Sequence, residues 1–158
     1  MTASARLDVR QAEASDLDWV RRTTTEAYAI YLPVLGYPPV PVDEDYGPRI
    51  GRGEVFVFSR AGADLGLMVV EEHDRHLELF SIAVAPAGQS GGVGRAMLQW
   101  LDARAKALGK AEIRLYTNAR MERNIAIYTR FGYRETGRRA NPKRPQFTIV
   151  DMVKPVAT

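Results

Sequence analysis

Hydrophobic positions recur with two periods along this chain. Arg6 to Gln11 alternates polar and apolar residues, the pattern of a half-buried strand. Ser15 reads as a helix N-cap with Asp16 and Asp18 in the first turn. Leu17, Val20, Ala27, Tyr28 and Tyr31 then follow at helical spacing. Pro33 sets the expected end of this helix near Tyr31 or Leu32. Residues Pro33 to Gly53 lose clear periodicity. A second short helix is expected over Asp43 to Ile50, weakened by Gly47-Pro48. Glu54 to Ser59 is a strand, Ala61 to Asp64 a turn, and Leu65 to Glu71 a second strand in which Gly66 marks a bulge. Glu72 to Arg75 turns the chain again, and a strand from His76 runs on until Pro86. The short turns predict antiparallel hairpins.

The period then changes to 3.6. Val93, Met97, Trp100, Leu101 and Leu108 share one helical face, and Gly109 stops that helix. Ala111 to Thr117 alternates as a strand. Strand, helix, strand in this order implies a right-handed crossover and a parallel pair. Glu122 to Phe131 is a further helix closed by Gly132, and Tyr133 to Arg138 a strand. Arg139 to Pro145 is a basic loop, and Gln146 to Val153 the last strand.

Composition narrows the picture. A length of 158 residues suits a single domain over 1–158 with its own core, and 46% hydrophobic with 26% charged residues is ordinary for a soluble globular protein. No apolar run approaches the roughly 18 residues of a membrane span. The first residues carry no signal-peptide core, so a cytoplasmic location is expected. There is no cysteine, which excludes disulfides, thiolate metal sites and a cysteinyl intermediate. The formal charge of +3 is compatible with a polyanionic cofactor and too small to argue for nucleic acid. His73 and His76 have no evident third ligand and read as a charged hairpin tip, so no metal is expected.

The candidate chemistry lies between the strand and the helix of the crossover. Gly88, Gly91, Gly92 and Gly94 precede or open the helix, where free N–H groups and the helix dipole favour an anion. A phosphate loop of nucleoside triphosphatases needs Gly-Lys-Ser/Thr, and here Gly94 is followed by Arg95-Ala96. The dinucleotide fingerprint needs a small residue where Met97 stands. A turn that merely permits tight packing is the alternative. The pattern present, Gln89-x-x-Gly92-x-Gly94, resembles the pyrophosphate motif of the GNAT superfamily of acyl-CoA-dependent N-acyltransferases, and Ile82 to Pro86 resembles its fourth strand. Asn124-Ile-Ala-Ile-Tyr128-Thr-Arg-Phe131-Gly132-Tyr133 resembles the superfamily's downstream motif. The order of elements is also that of the GNAT fold, so the resemblance covers nearly the whole chain.

This resemblance implies an α/β fold: a mixed, mostly antiparallel sheet of about six to seven strands with a splayed parallel pair, flanked by about four helices. It implies acetyl-CoA as acyl donor and direct attack by a primary amine in a ternary complex. The acceptor is a small-molecule amine or a peptide. A homodimer is open, since many relatives are dimers. The backbone of Ile82, Ala83 and Val84 would pair with pantetheine. Gln89, Ser90, Gly91, Gly92, Val93, Gly94 and Arg95 would hold the pyrophosphate. Tyr128 matches the tyrosine that protonates the leaving thiolate. Asn124 shares its helical face, while many relatives carry the cofactor-contacting asparagine seven positions before the tyrosine, here Met121, so Asn118 is a rival. Arg120, Arg123 and Arg130 could meet the 3′-phosphate. Glu78 is the candidate base, expected on one strand face with Phe80 and Ile82, and Glu71, Asp45 and Tyr116 are weaker candidates. Tyr31 to Asp45, the Arg138–Arg144 loop and Tyr116 are expected on the acceptor side. Acids in that first segment would suit a cationic acceptor and arginines in the loop an anionic one. The alternative from another class is a GNAT-like module that binds acyl-CoA as a sensor or scaffold without catalysis.

Overall fold

The computed structural model describes residues 6–89 and 91–157. Seven strands form one sheet in the order β1-β2-β3-β4-β5-β7-β6. They are β1 (Asp8–Gln11), β2 (Val55–Arg60), β3 (Ala63–Glu72), β4 (His76–Val84), β5 (Glu112–Asn118), β6 (Arg134–Ala140) and β7 (Thr148–Pro155). β4 and β5 are parallel and every other neighbouring pair is antiparallel. β6 runs two residues further than its own pattern suggests, because Arg139 and Ala140 pair with Ile149 and Thr148 of β7.

The helices are α1 (Leu17–Tyr28), α2 (Leu32–Leu35), α3 (Val40–Asp43), α4 (Tyr46–Gly51), α5 (Val93–Ala107) and α6 (Glu122–Arg130). Asp16, rather than Ser15, organises the start of α1. Its carboxylate accepts the Glu13 N–H at 2.7 Å and also takes the Arg10 guanidinium. Pro33 does not end the helical path. A 3-10 turn over Ala29–Tyr31 redirects the chain, and Pro33 then sits in the first turn of α2, where its missing N–H costs nothing. The short helix expected over Asp43 to Ile50 is α4, capped by Asp45, whose Oδ1 accepts the Gly47 N–H at 3.1 Å. Leu108 is a further correction. It lies at the C-cap of α5 and is 39% exposed rather than buried.

Two cores face the two sides of the sheet. One is built on Met97, Leu98 and Leu101 of α5 with Tyr128 of α6, against Phe56, Phe58, Leu77, Leu79, Ile113 and Leu115. The other joins Val20 of α1 and Tyr46 of α4 to Val55, Val57, Leu67, Val69 and Ala83. Leu79 thus belongs to the first core and Ala83 to the second, although both occupy odd positions of β4. The cause is a bulge: Val69 opposes Ser81 while Val70 opposes Leu79, so Phe80 is an extra residue. Phe80 packs on the second core and Ile82 on the first. The expectation that Glu78, Phe80 and Ile82 share a face therefore fails, because strict alternation does not survive an inserted residue.

Gly66 has a similar explanation. The bulge of β3 is at Leu65 beside it, since Phe58 opposes Gly66 and Ser59 opposes Asp64. Gly66 itself is a point of close approach. A Cβ there would meet Met97 Sδ at 2.9 Å and the Ala83 carbonyl oxygen at 3.1 Å. Gly66→Ala is expected to cost about 1–3 kcal/mol, a fall in Tm of roughly 2–12 °C by circular dichroism. An unchanged Tm would show that β3 and α5 are not held this tightly.

Candidate active site

The parallel ladder between β4 and β5 ends early. Pairing runs from His76–Glu112 to Leu79–Leu115 and goes no further. Beyond it, β4 continues to Val84 paired with β3 alone, and β5 continues to Asn118 paired with β7 alone. The strands splay, and the β5-facing backbone of β4 from Phe80 to Val84 has no strand beside it. An extended ligand can use such an edge as a sheet uses an added strand.

A cleft of about 760 Å³ occupies this side of the splay. Of the sequence-proposed cofactor residues, Ile82, Val84, Gln89, Gly92, Val93, Gly94, Arg95, Asn124 and Tyr128 line it. Ala83 turns its side chain into the second core, which leaves only its backbone for a ligand. Gly91 stands in the turn before the helix without lining the cleft, and Ser90 lies outside the described residues. Gly92 is the N-cap of α5 with φ +74°, a left-handed conformation that favours glycine. The first-turn N–H groups of Val93, Gly94 and Arg95 have no carbonyl partner within the helix.

Gly94 tests whether a phosphate fits. Its φ is not positive, and a Cβ would meet only Val84 Cγ2 at 3.7 Å, an ordinary contact. The fold does not require glycine there, whereas a phosphate approaching the helix end does benefit from bare backbone. Arg95, Arg123 and Arg130 line the same cleft, and Glu26 is its one acid among the lining residues. Helix end, bare backbone and three guanidiniums fit a polyanion such as coenzyme A.

A second, smaller cavity of about 70 Å³ opens where β4 and β5 part. Tyr37, Pro39, Val40, Pro41, Tyr116 and Asn141, from the segments expected on the acceptor side, line it together. Asn118 lines this cavity and not the larger cleft. Its Nδ2 donates to the Tyr37 hydroxyl at 3.4 Å, and its Oδ1 accepts the Arg120 N–H. Tyr28, Asn124 and Tyr128 line both cavities and mark where they meet.

Tyr128 is 7% exposed and touches Tyr133 edge-on, with ring centroids 5.7 Å apart. Burial pushes its phenol well above the usual value, and neighbouring Tyr28, Tyr133 and Tyr31 add to this. The hydroxyl therefore stays protonated at neutral pH. Asn124 Oδ1 accepts from the Tyr31 hydroxyl at 3.0 Å, which orients the amide at the junction. Tyr28 was legible in the sequence only as a packing residue on α1. Its hydroxyl stands 3.5 Å from Ser81 Oγ and beside the Ile82 backbone N–H. Met121, at the usual asparagine position, is buried and accepts a weak contact from Thr117 Oγ1 at 3.8 Å.

Glu78 lines neither cavity. It stands opposite Glu71 across β3–β4 and beside Arg114 across β4–β5, close to Tyr116. Burial, then Glu71, pushes its carboxyl above the ordinary value. Glu71 goes the other way. Burial works against its charge, but hydrogen bonds from Arg49 and His73 hold its carboxyl below the usual range. Arg49 is 8% exposed, reaches Glu44, Glu54 and Glu71, and lies 3.9 Å over the Phe80 ring. Asp45 is committed to capping α4. His73 and His76 stack with centroids 4.5 Å apart, and no cluster of metal-ligating side chains exists among the described residues.

Comparison with known proteins agrees with this geometry. A model of the acetyltransferase (GNAT) domain matches residues 51–135, more than half of the 158-residue chain. A mycothiol acetyltransferase of Jonesia denitrificans is 33% identical over 75 residues, 48% of this chain and 24% of that protein. The matched region thus spans about a quarter of that curated relative. The ribosomal-protein-S18-alanine N-acetyltransferase of Escherichia coli superposes with a TM-score of 0.75 at 22% identity, covering 96% of this chain and 95% of that one. The PaiA N-acetyltransferase of Thermoplasma acidophilum, solved with coenzyme A, superposes with a TM-score of 0.76 at 15% identity, covering 94% and 98%. At these identities the likeness to the solved structures is one of fold. The matching domain model covers more than half of the chain, and the chain belongs to the GNAT acetyltransferase family.

Proposed function

We propose that the chain is an N-acetyltransferase that moves the acetyl group of acetyl-CoA to a primary amine by direct attack in a ternary complex. The observation that carries this reading is the meeting of the two cavities at Tyr28, Asn124 and Tyr128. A donor in the large cleft and an acceptor in the small cavity would come together there. The glycine-opened end of α5 and Arg95, Arg123 and Arg130 suit the donor's phosphates. The free edge of β4 suits its extended arm.

When bound, acetyl-CoA supplies an activated thioester. The Ile82 backbone N–H beside the Tyr28 hydroxyl offers donors to a developing oxyanion. As the C–N bond forms and the C–S bond breaks, the Tyr128 hydroxyl gives its proton to the departing sulfur. The amine must also lose a proton. At pH 7 this costs roughly 4–5 kcal/mol for a lysine-like amine and about 1–1.5 kcal/mol for an α-amine. Glu78 serves as the base through water, because it lines neither cavity and lies close to Tyr116, which lines the small one. Its raised carboxyl is a better proton acceptor than an ordinary glutamate.

Two variants test these roles. Acetyl-CoA at 100 times its Kd is expected to stabilise wild type and Tyr128→Phe alike, by roughly 2.7 kcal/mol in thermal unfolding. Thiol release by Tyr128→Phe is expected to fall about 10–1,000-fold. Equal turnover would remove Tyr128 from the mechanism, and no turnover by wild type despite binding would favour a sensor. For Glu78, a base must be ionised, so kcat/KM should rise with pH through its elevated pKa, and Glu78→Gln should abolish that limb. The stability sign is opposite. A carboxyl raised by folding supports the fold below its unfolded pKa, and that support is lost as pH rises through the folded pKa. Glu78→Gln should thus be at least as stable as wild type at pH 7 while being slower. A pH–rate profile like that of wild type would exclude Glu78 as the base.

A further inference from the structure

Two arginines that the transfer reaction does not use stack on an aromatic pair that includes a wall residue of the acceptor cavity. Tyr37 and Phe147 meet as tilted rings with centroids 5.0 Å apart. The Arg144 guanidinium lies 3.9 Å over Tyr37, and Arg120 lies 4.7 Å over Phe147. These side chains form one ladder across three loops, and its Tyr37 is a wall of the cavity. Asn141 fixes the Arg144 loop, because its Oδ1 accepts the Lys143 and Arg144 N–H groups at 3.0 and 3.3 Å.

Several nearby charges are already matched, and Lys143 beside Arg144 adds to the positive charge of the loop. Arg138 pairs with Glu135 and Arg139 with Asp151. Glu44 and Glu71 are held by Arg49, and Asp45 caps α4. Asp43 is exposed on α3 and does not line the cavity. Arg144 and Arg120 have no carboxylate within ion-pair distance among the described residues. Stacking leaves the edges of a guanidinium free to donate hydrogen bonds.

Between the ladder and Tyr128 the cavity walls are aromatic, proline-rich and uncharged. The cavity volume of about 70 Å³ is half of the ~150 Å³ that admits a benzene ring. It takes a short aliphatic stem rather than a large ring. We infer that the acceptor is a primary amine on a short straight apolar stem whose far end is an anion, held by Arg144 and Arg120. This inference rests on the acetyl-transfer reading and assigns the substrate class of the same site. The anion is a carboxylate or a phosphate-like group. The amine sits at the tyrosine junction, the stem spans the uncharged walls, and the anion reaches the ladder.

A matched series tests this. Thiol release is measured with 5-aminovalerate, 4-aminobutylphosphonate, pentylamine and cadaverine, with acetyl-CoA binding followed separately by thermal shift. The anionic amines are expected to exceed pentylamine in kcat/KM by about tenfold or more, the effect of one charge-assisted hydrogen bond, mostly through KM. Cadaverine should be poorest. The order within the anionic pair tells carboxylate from phosphate. Arg144→Gln or Arg120→Gln should shrink the preference for 5-aminovalerate over pentylamine, and added salt should do the same in wild type. If acetyl-CoA fails to bind, the donor reading falls and this inference with it. If it binds and pentylamine or cadaverine is preferred, the acceptor inference alone is overturned; if it binds and every amine is inert, the acceptor inference is overturned and the sensor reading is favoured.

Discussion

The site depends on one interruption of hydrogen bonding. The β4–β5 ladder stops after Leu79–Leu115, while each strand remains anchored by its other neighbour. Both strands therefore stay paired on their outer sides although they part. Backbone polar groups left without a strand partner need another partner. The opening is thus a reactive edge as well as a hole. The Phe80 bulge stands where pairing ends, and it turns Leu79 and Ala83 onto opposite faces. The same extra residue also separates Ile82, which lines the large cleft, from the Glu78 side.

That interruption is held from both faces. On one, α5 packs Met97, Leu98 and Leu101 under the sheet and brings its N-terminus to the mouth of the splay. On the other, Arg49 lies on the Phe80 ring while binding Glu44, Glu54 and Glu71. A buried guanidinium is tolerable because its donors are matched by carboxylates, and removal of one partner would leave charge unpaired in a dry place. The matching also has a chemical consequence. Glu71 is kept ionised, and its charge helps to raise the neighbouring Glu78. Two glutamates opposite each other in the sheet thereby acquire different proton affinities.

Charge is then divided between the two cavities. Arg95, Arg123 and Arg130 line the large cleft, and Arg144 and Arg120 stack on the Tyr37–Phe147 pair beside the small cavity. The walls between them are largely uncharged, with tyrosine hydroxyls and an asparagine at the centre. A formal charge of +3 conceals this arrangement, because it sums 22 basic and 19 acidic residues wherever they lie.

The two periods of hydrophobicity, the glycine pattern around Gly92 and the Asn124–Tyr133 segment were legible along the chain, as were most strands and both long helices. These are local properties: a few neighbouring residues set the backbone preference, the buried face and the helix ends. Tertiary structure alone decided the rest. It carried helical backbone past Pro33, put Leu108 outside, inserted Phe80 as a bulge and sent Asn118 to the small cavity. It also brought Tyr28 to the junction of the two cavities and set Phe147 against Tyr37 from distant segments. Register between strands and contact between loops are settled by which packing buries the most apolar surface while pairing the backbone. That choice involves residues far apart in the chain, so no pattern read along it contains the answer.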